Sequence, residues 1–158
     1  MSKPNNEKIA WLKSLPFLLF HLTPLALLWV DICLRDVVLC FVFYYGRMFF
    51  ITAGYHRYFA HRSYKMGRFP QFLMALGGTM AAQKGPLWWA SHHRWHHKYS
   101  DTKDDVHSPK NGFLWSHVGW ILSAKFEEPL YNKISDFARY PELMWLDTAT
   151  PLPPSMIG

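Results

Sequence analysis

Residues 37–61, VVLCFVFYYGRMFFITAGYHRYFAH, place an apolar run directly before two histidines. The run covers 37–55 and is interrupted by Arg47, a charge we expect to reach toward the lipid headgroups rather than to act in function. Because about 20 apolar residues cross a bilayer as a helix, the run predicts a membrane span. His56 and His61 then stand at the end of that span.

A second apolar run lies upstream, over residues 15–30, and contains His21 and Thr23. A short polar connection separates the two runs, so they predict two antiparallel helices that form a transmembrane hairpin over 15–55. Each run is near the lower length limit for a span, and we expect tilt or protrusion into the headgroups. A cleaved signal peptide is disfavoured because no small-residue cleavage site follows the first run.

The composition favours a membrane protein over an aromatic-rich soluble one. Of 158 residues, 50% are hydrophobic and 18% are charged, whereas soluble domains carry about 25% charged residues. Residues 56–110 hold nine Lys or Arg against three Asp or Glu, which indicates the cytoplasmic side of a membrane. We expect no nucleic acid partner, since these basic residues form no nucleic-acid motif. Cys33 and Cys40 lack CxxC spacing and predict no disulfide.

Positive charges at both ends of the hairpin predict its orientation, because cytoplasmic flanks of membrane spans are enriched in Lys and Arg. The flanking basic residues are Lys3, Lys8 and Lys13 before the hairpin and Arg57, Arg62, Lys65 and Arg68 after it. The sequence therefore predicts a multi-pass integral membrane protein. Both hairpin ends are expected in the cytoplasm, and residues 1–14 form a basic cytosolic tail.

The rest of the chain predicts further helices close to the membrane. Residues 72–82 are apolar but too short to span, and their small side chains suit close packing in a buried or re-entrant helix. Pro86 is expected to stop or bend this helix. Residues 99–112 have the composition of a loop, and 113–124 suit a helix lying on the membrane surface. The predicted fold class is an all-α membrane protein, a hairpin followed by a cytosolic and interfacial helical part.

Four histidines lie in one hexapeptide, HHRWHH, at residues 92–97. On an α-helix His93 lies about 60° from His96 and about 40° from His97, so these three rings can converge on one side. Converging neutral imidazoles are typical ligands of Zn, Fe, Cu and Ni, and the apolar flanks disfavour a solvated cluster. His92 precedes His96 by four residues, so the spacing leaves His92 and His93 as alternative ligands.

The other histidine pair, His56 and His61, has a spacing of five residues. On a regular helix the two rings point about 140° apart, which suits two different ions or a distorted turn better than one shared ion. Alone, the pair is typical of two interfacial histidines. Its position on the same side of the membrane as the hexapeptide favours a metal site.

HRYFAH at 56–61 and HHRWHH at 92–97 resemble the first two histidine boxes of membrane-bound fatty-acid desaturases of the acyl-CoA delta-9 type. Neighbouring motifs resemble the bacterial branch of this family over residues 15–147: GYHR at 54–57, QKGPLWW at 83–89, DVHSP at 105–109 and SHVGW at 116–120. The second box of the family reads HxxHH, which matches His93, His96 and His97 and leaves His92 outside.

The resemblance implies an oxidoreductase of fatty-acid biosynthesis, in a membrane lipid environment, with two iron ions as cofactors. With O2, such enzymes remove two hydrogens from a saturated acyl chain and leave a cis double bond. Electrons come from an external donor of ferredoxin, rubredoxin or cytochrome type with its reductase. The implied substrate is a fatty acyl thioester, and the sequence leaves open whether coenzyme A, acyl carrier protein or a lipid carries the acyl chain. The bacterial branch implies the inner membrane. The chain offers no Gly-rich dinucleotide fold of its own.

The resemblance also assigns site residues, with no catalytic residue apart from the metal ligands. The expected ligands are His56, His61, His93, His96 and His97. Gln83, Trp88 and Trp89 resemble the stretch that lines the acyl channel, with interfacial packing as the alternative. Lys84, Arg94 and Lys98 could meet an anionic headgroup or form a solvated face. His92, His107 and His117 could hydrogen-bond to the ligands or serve structure alone.

The chain departs from the family pattern after its catalytic part at 56–147. The family continues with two more spans and a third HxxHH box, whereas residues 148–158 form an irregular tail that predicts a truncation, frameshifted or not. We therefore expect little or no activity from this chain alone. The alternatives are a histidine-box hydroxylase or alkane monooxygenase, a non-catalytic membrane remnant, and the partner of a second polypeptide that carries the missing box.

Overall fold

The computed structural model describes residues 9–149, so the predicted tails at 1–14 and 148–158 lie largely outside it. The α-helices are α1 (Trp11–Phe20), α2 (Leu34–Phe49), α3 (Arg68–Thr79), α4 (Pro86–Tyr99), α5 (Ser135–Ala138) and α6 (Pro141–Ala149). Two π-helices cover Phe50–Ala60 and Trp115–Gly119, and 3-10 helices cover Thr23–Trp29, Pro109–Asn111, Ala124–Phe126 and Tyr131–Lys133. Residues 9–149 contain no β-strand beyond one isolated bridge, which confirms the predicted helical class.

α2 and the first π-helix form one continuous apolar helix, Leu34–Ala60, of 27 residues. At 1.5 Å per residue it is about 40 Å long, enough to cross the hydrocarbon core of a bilayer. Only 6% of its most apolar window is buried within the protein, so its apolar side chains face outward. Among the described residues it is the one helix long and apolar enough to span a membrane. It is longer than the predicted run and includes His56.

The first apolar run does not form a single helix. α1 ends at Phe20, a two-residue turn follows, and a 3-10 helix covers Thr23–Trp29. Pro24 lacks the N–H that would bond back to the Phe20 carbonyl, and the hydroxyl of Thr23 donates to that carbonyl instead, at 2.7 Å. The resulting apolar segment, Ser14–Trp29, falls short of a full span. The transmembrane hairpin therefore stays a prediction.

Glycines let α3 approach the first π-helix closely, as the small-residue composition predicted. A Cβ on Gly77 would overlap the ring of Phe50, and one on Gly78 would overlap the ring of Tyr55. Tyr55 is fully buried, and its hydroxyl donates to the Lys84 carbonyl at 3.1 Å. α3 thus forms the wall against which the histidine-bearing end of the long helix packs.

α6 caps the N-terminus of α4 through Asp147. This buried carboxylate accepts hydrogen bonds from the backbone N–H groups of Leu87 at 2.9 Å and Trp88 at 3.2 Å. The first N–H groups of a helix have no partner within it, so a carboxylate there satisfies them and complements the helix dipole. Burial raises the pKa of Asp147 to about 6, although these N–H groups and Lys84 act to lower it. Pro86 begins α4, where no N–H is needed.

The surface helix predicted over residues 113–124 does not form as a regular helix. A short π-helix, Trp115–Gly119, is followed by turns. The N–H of Trp120 bonds five residues back, to the Trp115 carbonyl at 3.2 Å. Trp120 also stacks on Trp88 of α4, with ring centroids 5.4 Å apart. Packing of the Trp120 indole against α4 therefore helps to determine the irregular backbone path of residues 113–124.

Gly85 lies against Asp147, so its substitution tests the contact between α4 and α6. A Cβ on Gly85 would overlap the Asp147 carboxylate and backbone. We expect Gly85→Ala to displace α6 and to lower the unfolding free energy by about 1–3 kcal/mol, the usual cost of overpacking, as measured by thermal unfolding in detergent.

Gly46→Ala is the matched control. Outside its own helix, no described atom lies within 4 Å of a Cβ built on Gly46. Alanine also has the higher helix propensity, so we expect unchanged or higher stability. Equal unfolding temperatures for the two variants would contradict the packing of Gly85 on Asp147.

Candidate metal centre

The first π-helix brings His56 and His61 together. The N–H of His61 donates to the His56 carbonyl at 3.0 Å, a hydrogen bond that spans five residues. Such bonding places residues five apart one above the other, which an α-helix does not do. The two ring centroids are 4.5 Å apart. The distorted turn, one of the two arrangements that the spacing allowed, is therefore the one formed.

Two hydroxyl groups support this wide helical turn. Thr52 donates to the Met48 carbonyl at 2.6 Å, and Tyr64 folds back to donate to the Ala53 carbonyl at 2.6 Å. A change from four-residue to five-residue hydrogen bonding leaves carbonyl groups in need of donors. The Thr52 and Tyr64 hydroxyls thus donate to backbone carbonyls at the end of α2 and within the π-helix.

α4 places His93 and His97 against that pair. Their ring centroids are 4.5 Å apart and their Nε2 atoms are 3.0 Å apart. The His93 ring centroid lies 4.8 Å from that of His56, and the His97 centroid lies 4.5 Å from that of His61. One ligand nitrogen of each ring lies within 4.8 Å of the other three. These four residues, here called the four-histidine cluster, could hold one metal ion.

Three rings of the cluster favour the neutral form that metal binding needs. Burial, followed by the neighbouring histidines, lowers the pKa of His93 to about 3. Burial and neighbouring histidines also lower the pKa of His61 and of His97. Histidine binds a metal only through an unprotonated nitrogen, so these three rings keep lone pairs available at neutral pH.

His96 lies apart from the four-histidine cluster. Its ring centroid is 6.3 Å from that of His93 and 5.6 Å from that of His97. Its Nδ1 lies 2.8 Å from a carboxylate oxygen of buried Asp105, and its ring stacks on His107 with centroids 4.0 Å apart. Of the three rings that the helical spacing allowed to converge, those of His93 and His97 lie together and that of His96 does not. His96, Asp105 and His107, the His96 group, again have one donor atom each within 4.8 Å of the others.

The remaining histidines lie elsewhere. His92 is buried, and its Nδ1 lies 2.9 Å from the Trp88 carbonyl. Of the two alternatives that helical spacing left open, His93 is the one that faces the cluster, and its role as a ligand stays a prediction. His117 is exposed and stacks on Phe113. Sequence reasoning gave no role to Asp105, although it opens the DVHSP motif at 105–109 and lies in the turn-rich loop after the hexapeptide.

Arg94 joins the first π-helix, α4 and α5. Its Nε and Nη2 donate to the carbonyls of Ala60 and Phe59 at 3.1 and 2.6 Å. Its Nη1 donates to the Lys133 carbonyl at 2.9 Å, and both terminal nitrogens donate to Asp136 at 2.8 and 3.0 Å. These contacts use all five N–H groups of the guanidinium. All donors of Arg94 thus bond within the protein, which leaves none for an anionic headgroup.

This arginine fixes the spacing between the two histidine pairs. Ala60, whose carbonyl it holds, directly precedes His61, and Arg94 itself directly follows His93. Burial acts to raise the pKa of the Asp136 carboxyl. Hydrogen bonds from Arg94 and Arg62 outweigh burial, so the pKa lies below its ordinary value. The ion pair therefore persists at neutral pH.

A cavity of about 170 Å³ adjoins the four-histidine cluster. Its walls include all four residues predicted to contact substrate: Gln83, Lys84, Trp88 and Trp89. It also reaches His93 of the cluster and His107 of the His96 group. His93 stacks on Trp89 with ring centroids 4.6 Å apart. The cavity and the cluster thus share one side chain.

Lys84 contacts other side chains within the wall of this cavity. Its ammonium lies 4.3 Å from the centroid of the Trp88 ring, a cation–π contact. Burial lowers the pKa of Lys84 to about 8, while the carboxylates of Glu127, Glu128 and Asp147 act to raise it. The side chain is therefore held by the protein itself.

The fold and the site define a helical protein with a histidine cluster that could hold a metal ion, at the end of a long apolar helix and beside a largely apolar cavity. The profile of the family described as fatty acid desaturase matches residues 36–150. The chain belongs to the fatty acid desaturase family, whose members are membrane-associated oxidoreductases of lipid metabolism.

Individual relatives agree with the family assignment. The chain is 32% identical over 148 residues to sn-2 palmitoyl-lipid 9-desaturase of Nostoc sp. (strain 36), covering 90% of the chain and 52% of that protein. It is 42% identical over 86 residues to sn-1 stearoyl-lipid 9-desaturase of Synechocystis, covering 52% of the chain and 27% of the relative. It is 40% identical over 121 residues to acyl-CoA desaturase of Cyprinus carpio, covering 74% and 36%. The chain thus spans about half or less of these relatives.

Arg94→Lys tests the role of the guanidinium in metal binding. Lysine keeps the charge but has three donors in place of five, so the end of the π-helix loses part of its attachment to α4. We expect the affinity of the four-histidine cluster for Co2+, followed by visible absorption, to fall by about 10-fold or more, as for other residues that orient ligands.

Arg68→Lys is the control for this variant. Arg68 makes a more exposed arginine–carboxylate pair with Glu142, at 2.7 and 2.8 Å, between α3 and α6. We expect Arg68→Lys to leave Co2+ affinity unchanged. A similar loss of affinity in both variants would mean that Arg94 acts only through general stability.

The pKa of His93 predicts how the metal-free protein responds to acid. The folded protein binds fewer protons at His93 than the unfolded chain between the ordinary pKa near 6.5 and the folded pKa of about 3. The stability that depends on neutral His93 is therefore fully present above a pH of about 6.5. It falls as the pH drops from there toward about 3. We expect His93→Gln to flatten this decline, as measured by thermal unfolding across that range. An unchanged slope would show that His93 is not the responsible group.

Proposed function

We propose that this chain supplies part of the active site of a membrane-bound acyl desaturase, which uses O2 to place a cis double bond in a saturated fatty acyl chain. The observation that carries the proposal is His93, which belongs both to the four-histidine cluster and to the wall of the cavity. A chain bound in that cavity would lie beside the metal, as oxidation of a C–H bond requires.

The proposed ligands of one iron ion are the four-histidine cluster, His56, His61, His93 and His97, and His96 serves a second ion. The donor set fits, because neutral imidazoles bind Fe as well as Zn, Cu and Ni, and membership of the family favours iron. When bound, the irons with O2 supply the oxidising power for an unactivated C–H bond, which no side chain has. The protein contributes the placement: the π-helix aligns two ligands, and Arg94 fixes them against α4.

We assign the cavity to the acyl chain. Trp88, Trp89 and Trp120 give it aromatic walls, which suit an apolar ligand. The stacked rings of Trp89 and His93 form the boundary with the cluster, so they direct the chain past the metal and exclude water from that side. We place Lys84 in the wall rather than at an anionic headgroup, because its ammonium already contacts the Trp88 ring.

The proposal includes an acyl thioester or acyl lipid as substrate and an external electron donor of ferredoxin, rubredoxin or cytochrome type. Removing two hydrogens from the chain supplies two electrons, and reducing O2 to two waters consumes four. The donor must therefore provide the other two electrons. The relatives are named as desaturases of acyl lipids and of acyl-CoA, which supports acyl substrates in both forms.

For the membrane arrangement we propose that residues 15–55 form a two-span hairpin with both ends cytoplasmic, and that 56–147 form the catalytic part beside it. The exposed apolar surface of the helix Leu34–Ala60 supports contact with lipid. The basic residues that flank the hairpin support the orientation. The histidines then lie at the cytoplasmic surface, at the level where acyl chains meet their headgroups.

A desaturase-deficient host provides the test of function. The full chain would be joined to the part of the Nostoc relative that follows the aligned region, and cellular fatty acids would be analysed by gas chromatography and mass spectrometry. We expect monounsaturated fatty acids. His61→Ala and His93→Ala should abolish them because each removes a metal ligand, whereas His117→Ala, an exposed histidine on Phe113, should retain them.

Two outcomes would count against the proposal. If the chimera makes no unsaturated product while the Nostoc protein makes it in the same host, this chain does not supply that part of the site. Hydroxylated fatty acids in place of unsaturated ones would favour the histidine-box hydroxylase alternative.

A further inference from the structure

Asp105 is a buried carboxylate on which three donors converge. Its side chain accepts from His96 Nδ1 at 2.8 Å, from the His107 N–H at 3.2 Å and from the Asp101 N–H at 3.0 Å. The two backbone contacts fold the loop after α4 around the carboxylate. An ionised carboxylate only accepts hydrogen bonds, so the hydrogen in the contact with His96 must reside on Nδ1. In the neutral ring, Nε2 of His96 then carries the free lone pair.

The His96 ring is also fixed from its face. It is stacked against His107 with an interplanar angle of 23°, and His107 in turn stacks on Trp120 with ring centroids 5.2 Å apart. Nearly parallel stacked imidazoles cannot both direct in-plane lone pairs at one ion between them. Both oxygens of Asp105 are already engaged as acceptors. The His96 group is thus built to hold His96 rather than to chelate an ion through all three members.

We propose that Asp105 is a positioning residue that fixes His96 in the tautomer with hydrogen on Nδ1 and so presents Nε2 to a metal position separate from the four-histidine cluster. Carboxylate–histidine pairs of this kind orient metal ligands and increase their basicity. The metal position rests on the proposed function, whereas the tautomer does not. The role gives a physical meaning to the DVHSP motif at 105–109.

The tautomer is measured directly on the metal-free full chain, labelled with 15N-histidine in lipid nanodiscs at neutral pH. Long-range 15N–1H spectra distinguish protonated from bare ring nitrogens, and His96→Gln identifies the His96 signals. We expect a protonated Nδ1 and a bare Nε2 in the wild type. A protonated Nε2 with a bare Nδ1 would overturn the proposal without any variant at Asp105.

Asp105→Asn then tests the cause. An amide presents one acceptor and one donor where the carboxylate presents two acceptors, so we expect His96 to populate both tautomers. Asp104→Asn is the matched control, since this neighbouring carboxylate is exposed and the variant makes the same charge change. A single Nδ1–H tautomer in Asp105→Asn would show that Asp105 does not set it.

A Zn2+ titration of the same samples reads the metal position. We expect the His96 Nε2 signal of Asp105→Asn to shift only at a Zn2+ concentration about 10-fold or more above that of the wild type. The signals of the four-histidine cluster should respond to Zn2+ in the same way in both proteins. No difference between the two proteins, or Zn2+ bound at Nδ1, would overturn the positioning role. Failure of the desaturation test would leave the tautomer result intact, so the two proposals fail separately.

Discussion

The hydrogen bond from the His61 N–H to the His56 carbonyl sets the geometry on which the candidate metal centre depends. On an α-helix these side chains would diverge by about 140°, and no single ion could bind both. The π-helical turn aligns them, but π-helices are rare and need support from their surroundings. Tyr64 supplies it at the Ala53 carbonyl, and Arg94 supplies it at the carbonyls that end the helix.

The position of α4 depends on the C-terminal part of the described chain. Asp147 caps its first turn, and Asp136 holds Arg94 near its middle. Each contact satisfies a buried or partly buried polar group that would be costly to leave without a partner. α5 and α6 contribute no residue to the four-histidine cluster, yet they fix the helix that carries two of its histidines, His93 and His97.

The long apolar helix and the cluster at its end belong to one physical arrangement. An outward-facing apolar surface favours lipid, and His93, whose pKa is lowered to about 3, carries no charge penalty beside apolar walls. The cavity next to His93 has aromatic walls, so it offers an apolar environment beside the cluster.

The sequence by itself determined the features that depend on local composition: the apolar run over 37–55, the small residues of α3 and the histidine motifs that carry the family resemblance. Tertiary structure alone decided the π-helical turn at His56, the separation of His96 from the other histidines and the cap at α4. These depend on Asp105, Asp136 and Asp147, carboxylates that act at a distance along the chain. A carboxylate has many possible donors, and only the folded chain determines which of them reaches it.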